Sequence, residues 1–141
     1  MKTNILYSLF LLFTVSLYAQ QVPVTYDELP KQAKDFLTKH FTEKVHHTIK
    51  EVNNRDVVYD VVMNDDTEIK FSQVGRWQMV DGKNKKIPYT ILQMPIAEYV
   101  KSTHPKNYIV KITKTELNYL VTLNNGINLT FDVQGIYTKT N

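Results

Sequence analysis

Tyr59-Asp60-Val61-Val62-Met63-Asn64-Asp65-Asp66-Thr67-Glu68-Ile69-Lys70-Phe71-Ser72-Gln73-Val74-Gly75-Arg76-Trp77 has a counterpart later in the chain. That counterpart is Tyr119-Leu120-Val121-Thr122-Leu123-Asn124-Asn125-Gly126-Ile127-Asn128-Leu129-Thr130-Phe131-Asp132-Val133-Gln134-Gly135-Ile136-Tyr137, which aligns without a gap at an offset of 60. Tyr, Val, Asn, Phe and Gly recur in place, and Met63/Leu123, Ile69/Leu129 and Trp77/Tyr137 are close substitutions. Self-similarity at a fixed spacing marks a duplicated structural unit and takes precedence over local propensity.

Each version alternates. Val57, Tyr59, Val61 and Met63 fall on one face of a strand, and Val58, Asp60, Val62 and Asn64 on the other. Asp65-Asp66 turns the chain, and Glu68 to Ser72 returns it with Ile69 and Phe71 inward. Val74-Gly75 turns it again, and Trp77 and Met79 are expected to continue the inward face. Turns this short can join only antiparallel strands. Asn125-Gly126 in the second version is the strongest short hairpin signal, with both turn positions expected at positive φ.

Working outward, Val45 to Val52 reads as a strand before the first version, with residues 108–115 as its counterpart. Upstream, Ala33, Phe36, Leu37, His40 and Phe41 lie at helical spacing, giving a helix over about 29–41 with Asp27 as its N-cap. Ile96, Tyr99 and Val100 show the same spacing, and the helix ends near Thr103-His104-Pro105. Pro95 either sits in the first turn or follows a kink. The helices align at an offset near 64, so the first copy is expected to carry about four extra residues around Thr42 to His47. Residues 20–28 read as a lead-in, and Asp81 to Lys86 as the link between copies. The expected fold is α+β: two tandem units of one helix and four strands, about 29–82 and 87–139, in an antiparallel sheet with both helices on one face.

The chain has 141 residues, 17 basic and 14 acidic. Its first 19 read as a secretory signal: Lys2, then an apolar run from Ile5 to Leu17, then Ala19 as the cleavage residue. That run is shorter than the roughly 20 residues that span a bilayer, so an uncleaved anchor is the lesser reading. Cleavage leaves a single domain, 20–141, with a net charge of +2. The product is expected to be periplasmic or secreted, without a membrane attachment. Its charges are dispersed apart from Lys83-Asn84-Lys85-Lys86, so no nucleic-acid partner is expected. Cysteine is absent, which excludes disulfides, thiol nucleophiles and thiolate metal sites.

Leu29-Pro30 with a helix ending in Phe41, then Tyr59-x-Val61, Asn64-Asp65, Glu68-Ile69-x-Phe71 and Gly75-x-Trp77, resembles the PepSY-like, beta-lactamase-inhibitor-like family of exported bacterial proteins. The pattern returns as Ile87-Pro88, His104-Pro105, Tyr119-x-Val121, Asn124-Asn125-Gly126, Leu129-x-Phe131-Asp132 and Gly135-x-Tyr137. The resemblance covers residues 29–139. It implies an exported binding module with a broad uncovered sheet face, and it supplies no active-site residue to carry over. Asp65-Asp66 replaces the Asn-Gly of the second copy, and Ser72 replaces Asp132.

No Gly-x-Ser-x-Gly, His-Glu-x-x-His or phosphate-binding glycine loop occurs, so no catalytic residue is expected. His46 and His47 are adjacent and, on a regular strand, point to opposite faces. His40 and His104 stand at helix ends, where a cation is favoured. With no zinc-type spacing, no metal or cofactor is expected. The acids of Asn64-Asp65-Asp66-Thr67-Glu68 belong to turn chemistry rather than a calcium loop. The uncovered face is the expected binding surface: Asp60, Val62, Lys70, Gln78, Leu120, Thr122, Thr130 and Asp132. The leading reading is a non-enzymatic module that binds another exported or envelope protein. The alternative is a periplasmic small-ligand or metal-binding protein.

Overall fold

The computed structural model describes residues 19–141. The expected signal, residues 1–19, lies outside them apart from Ala19. Among the described residues, nine strands form one antiparallel sheet in chain order: β1 (Gln20–Val24), β2 (Val45–Val52), β3 (Val57–Met63), β4 (Glu68–Ser72), β5 (Trp77–Asp81), β6 (Ile109–Lys114), β7 (Asn118–Leu123), β8 (Asn128–Asp132) and β9 (Tyr137–Thr140). Two helices, α1 (Lys31–His40) and α2 (Met94–Thr103), are each preceded by a single-turn 3-10 helix, Tyr26–Glu28 and Tyr89–Ile91. The architecture is α+β. No described helix is long and apolar enough to cross a membrane.

The lead-in contains a strand that alternation did not disclose. β1 pairs with β2 from Gln20↔Val52 to Val24↔Thr48, and in its mostly exposed QQVPV sequence only Val22 and Val24 alternate, too short a run to mark a strand. Pro23 and the polar glutamines suit an edge strand, where a missing N–H is tolerated and further pairing is discouraged. α1 starts after Pro30, and Asp27 is inside the 3-10 turn rather than an N-cap. That turn is held instead by Thr25, whose N–H and hydroxyl both donate to the Glu28 carboxylate at 2.6 and 2.9 Å. Pro95 sits in the first turn of α2, where a proline costs no hydrogen bond.

Both helices lie on the same sheet face. Ala33 and Leu37 of α1, and Ile96 and Val100 of α2, are buried against Val61, Ile69, Phe71, Val121, Leu129 and Phe131. Burying such side chains fully is worth about 1.5–3 kcal/mol each, so this layer is the principal source of stability in a chain without disulfides. Gly75 (φ +86°) and Gly135 (φ +82°) tuck the hairpin turns β4–β5 and β8–β9 under the helix starts. Their left-handed backbone is the one glycine adopts without penalty. In the Asn125-Gly126 turn only Gly126 is at positive φ, so the turn is not the doubly left-handed type expected. Asp66 takes the same role in the first half, at φ 68°.

Two expectations fail, one at a β-bulge and one in a hairpin. Phe71 pairs with Trp77, but the next pair is Lys70 with Met79, leaving Gln78 as an extra residue. One inserted residue switches the alternation, so Met79 joins the uncovered face and Val80, fully buried, joins the core. The extra length of the first half is also elsewhere than expected. The helices and 3-10 turns correspond at an offset of 63, β2 and β6 at 64, and β3 and β7 at 60. The insertion is therefore in the β2–β3 hairpin, where it adds the pairs Glu51↔Val58 and Val52↔Val57 and gives β1 its full-length partner.

Candidate functional site

The face away from the helices is built by alternation on nine strands, interrupted at the β-bulges. One row across it reads Pro23, Ile49, Asp60, Lys70, Met79, Thr113, Leu120, Thr130 and Lys139 in successive strands. The adjacent row reads His47, Val62, Glu68, Asp81, Lys111, Thr122 and Asn128. Of the expected residues, Asp60, Val62, Lys70, Leu120 and Thr122 are brought together here. Met79, Asp81, Lys111 and Glu68 belong with them. The first three escaped sequence reasoning because their placement depends on the bulge and on the β5–β6 pairing. The available sign was the spacing of Trp77 and Val80, two apolar residues that cannot share a face on an unbroken strand.

Three expected residues do not contribute as supposed. Thr130 has the right parity but is only 5% exposed, because Asn141 donates to its hydroxyl at 3.0 Å and Thr138 to its carbonyl at 3.0 Å. The C-terminal strand and its end cover it. Gln78 is the exposed extra residue of the bulge and has no strand partner. Asp132 spends its carboxylate on the following turn, accepting from the Gln134 and Ile136 N–H groups at 3.0 and 2.8 Å.

At the centre of the face is a chain of ion pairs. Asp60 meets Lys70 at 3.4 Å, Lys70 meets Glu68 at 3.7 Å, Glu68 meets Lys83 at 2.8 Å, Lys83 meets Asp81 at 3.6 Å, and Asp81 meets Lys111 at 3.3 Å. It runs from β3 across β4 and β5 to β6, so it joins the first half of the sheet to the second. Exposed pairs contribute at most about 1 kcal/mol each, so the arrangement fixes charge pattern more than stability. The Lys83 ammonium holds the Glu68 carboxyl below its ordinary range. Burial pushes Asp81 up, but the Lys83 N–H and the Lys111 and Lys83 ammonium groups outweigh it and leave Asp81 lowered. Asp60 goes the other way: burial and then Glu68 raise it against the pull of Lys70, and its Oδ1 is buried with no hydrogen-bond partner.

The histidines depart from expectation. The register shift between Val45 and His47 puts His46 and His47 side by side, with Nδ1 atoms 2.7 Å apart and ring centroids 5.0 Å apart. A bulge aims neighbouring side chains together where a regular strand would separate them. Burial and then the Lys39 charge lower His40, which disfavours the helix-end cation, and its Nδ1 lies 2.8 Å from the Thr90 hydroxyl. Among the described residues, no three His, Asp or Glu side chains are grouped to hold a metal ion. Asp65 accepts from the Thr67 N–H at 3.1 Å, the turn role expected of it.

Residues 57–139 match the family described as "Putative beta-lactamase-inhibitor-like, PepSY-like". The chain belongs to this PepSY-like family. Solved structures similar to this PepSY-like chain come from two Bacteroides species. A B. vulgatus ATCC 8482 protein of unknown function is 31% identical, with a TM-score of 0.82 over 86% of this chain and 99% of that one. A B. vulgatus protein of the DUF2874 family is 28% identical, with a TM-score of 0.81 over 86% of this chain and 96% of that one. A B. thetaiotaomicron protein described as "putative calcium-regulated periplasmic protein" is 26% identical, with a TM-score of 0.83 over 86% of this chain and 96% of that one. The two B. vulgatus proteins are also described as periplasmic. No curated protein matches the chain.

Proposed function

We propose that this PepSY-like chain is an exported, non-enzymatic binding module of two tandem units, and that its uncovered sheet face grips another envelope or secreted protein. The observation that carries the reading is the ion-pair chain from Asp60 to Lys111. It lies on a face with no helix over it, flanked by Val62, Met79 and the exposed Leu120. A fixed pattern of alternating charge beside apolar side chains suits recognition of a complementary surface, in which charge sets specificity and encounter rate. Carboxylates already engaged by lysines are poor general acids or bases at neutral pH, which argues for binding over catalysis. The periplasmic description of the Bacteroides neighbours supports the same location for this chain.

The test begins with capture of a partner from envelope extract by the mature chain, followed by identification of that partner. Lys70→Glu combined with Leu120→Asp then reverses one charge and removes the exposed apolar side chain. The expected result is loss of capture with a melting temperature lowered by only a few degrees, since Lys70 pairs with Asp60 and Glu68. Capture of the same partner by the double variant places the interface off this face and ends the proposal.

A further inference from the structure

Tyr26 and Tyr89 occupy the same place in their two 3-10 turns, at the offset of 63 shared by the helices. Their surroundings differ. Tyr89 is half-buried, its ring lies under the Lys86 and Lys101 ammonium groups at 4.4 and 5.6 Å, and its hydroxyl accepts from the Ile109 N–H at 3.3 Å. Tyr26 is 40% exposed and lines an open cavity of about 320 Å³ with Leu37, Thr38, Phe41, Val45 and Met63. By the same offsets, Thr38 stands where Lys101 stands and Val45 where Ile109 stands. Two of the three positions that hold the Tyr89 ring in the second half, Lys101 and Ile109, thus correspond to residues lining an open cavity in the first.

The cause lies in how each 3-10 turn is approached. In the second half, residues Gly82 to Pro88 link β5 to the turn, and the Ile87 N–H donates to the Ile109 carbonyl at 3.0 Å, setting Tyr89 beside Ile109. In the first half only Thr25 separates β1 from the turn, and Val24, the counterpart of Ile87, is opposite Thr48. Across the bulge, Thr48 is opposite Val61 and Val45 opposite Met63, so they are two ladder positions apart, or about 7 Å along the strand. β1 pairing therefore draws Tyr26 away from the place its counterpart fills. The polar anchor remains. The Asn64 N–H donates to the Lys44 carbonyl at 2.9 Å, which makes Val45–Met63 a non-hydrogen-bonded pair and turns the Val45 N–H away from β3.

We propose that this cavity is a binding site for a phenolic ring, which would lie over Leu37, Val45 and Met63 and accept a hydrogen bond from the Val45 N–H, as Tyr89 does from Ile109. Its volume is at the lower end of ligand pockets, about 300–1,000 Å³, and fits one ring with its substituents. Lys44 lines the cavity together with Glu43 and would offer a cation to the ring face, the part played by lysines around Tyr89. The site is on the helix side of the sheet and does not rest on the open-face proposal. The ring could belong to a free phenol or to a tyrosine side chain of a peptide.

The experiment is an NMR titration of the mature chain with 4-methylphenol, with acetyl-Gly-Tyr-Gly-amide and with toluene. Both phenols, or 4-methylphenol alone, should shift the Leu37, Val45 and Met63 resonances at millimolar concentrations; the first result indicates a side-chain source, the second a free ligand. Toluene should bind roughly tenfold more weakly, since it cannot take up the Val45 N–H. Thr38→Trp, at an exposed position on α1, should fill the cavity and abolish the shifts while leaving the melting temperature unchanged. The proposal is overturned if neither phenol shifts these residues, if the shifts are centred elsewhere, or if Thr38→Trp binds as the parent does. Equal binding of toluene removes the phenol assignment.

Discussion

In the first half Phe71 packs edge-on beneath Phe36, ring centroids 5.7 Å apart at 82°; in the second Phe131 packs beneath Tyr99 at 5.5 Å and 83°. Few features of the halves agree so closely. The open face above Phe71 carries Asp60, Glu68, Lys70 and Asp81, whereas that above Phe131 carries Leu120, Thr122, Asn128 and the covered Thr130. The lead-ins differ too, one bringing its tyrosine to the core and the other holding it out. Positions that must fill the space between helix and sheet tolerate little change, because a packed interior penalises both voids and excess volume. Positions on an uncovered face have no such constraint, and there the two halves differ in charge.

The largest expected effect tests the shared part. Phe71→Ala and Phe131→Ala each empty a fully buried aromatic site and should cost roughly 3–5 kcal/mol in denaturant unfolding, by similar amounts. A cost below about 1 kcal/mol for either would break the equivalence of the two cores.

The glycine turns sharpen the comparison. A Cβ at Gly75 would meet the Ala33 backbone N at 2.8 Å and Pro30 Cβ at 2.9 Å, neither of which can yield easily. At Gly135 the nearest atom is Gln93 Oε1 at 2.9 Å, the end of a flexible side chain, and at Gly126 no atom lies within 4 Å. All three share positive φ, which alone costs about 1–3 kcal/mol for a β-branched residue. Substitution by valine should therefore lower the melting temperature most at Gly75, less at Gly135 and least at Gly126. Equal losses would mean that backbone strain alone sets the cost.

The smallest expected effect concerns the charged face. The Glu68 carboxyl is held low in the fold, so its contribution is present above its unfolded pKa of about 4.3 and is lost as pH falls. The Asp60 carboxyl is raised, so its charged form is penalised at neutral pH and the penalty fades as pH falls toward its unfolded value of about 3.9. At pH 7, Glu68→Gln should lower stability by up to about 1 kcal/mol and flatten the acid side of the stability profile. Asp60→Asn should cost less at pH 7, because it removes a penalised charge together with an ion pair. A larger loss for Asp60→Asn than for Glu68→Gln would show that the Lys70 pair outweighs burial.

Much of this was legible from residues alone. Alternation around Tyr59 and Tyr119 located the hairpins and the core faces of β3, β4, β7 and β8, because a half-buried strand must alternate. Helical spacing located α1 and α2 to within a few residues, and Gly75, Gly126 and Gly135 marked the left-handed turns. What stayed hidden has a common cause. An inserted residue in one strand is defined by the strand it pairs with, so the bulge that set His46 against His47 could not be placed from sequence, and the one that sent Met79 outward and Val80 inward left only the odd spacing of Trp77 and Val80 as a sign. The strand identity of Gln20 to Val24 comes from its partner β2, not from its own composition. Whether Thr130 is covered and Tyr26 displaced was decided at longer range, by Asn141 in one case and by the β1 register in the other. The sequence by itself determined which side chains must leave water; the tertiary structure decided how the strands align to bury them, and with that which surface and which cavity were left open.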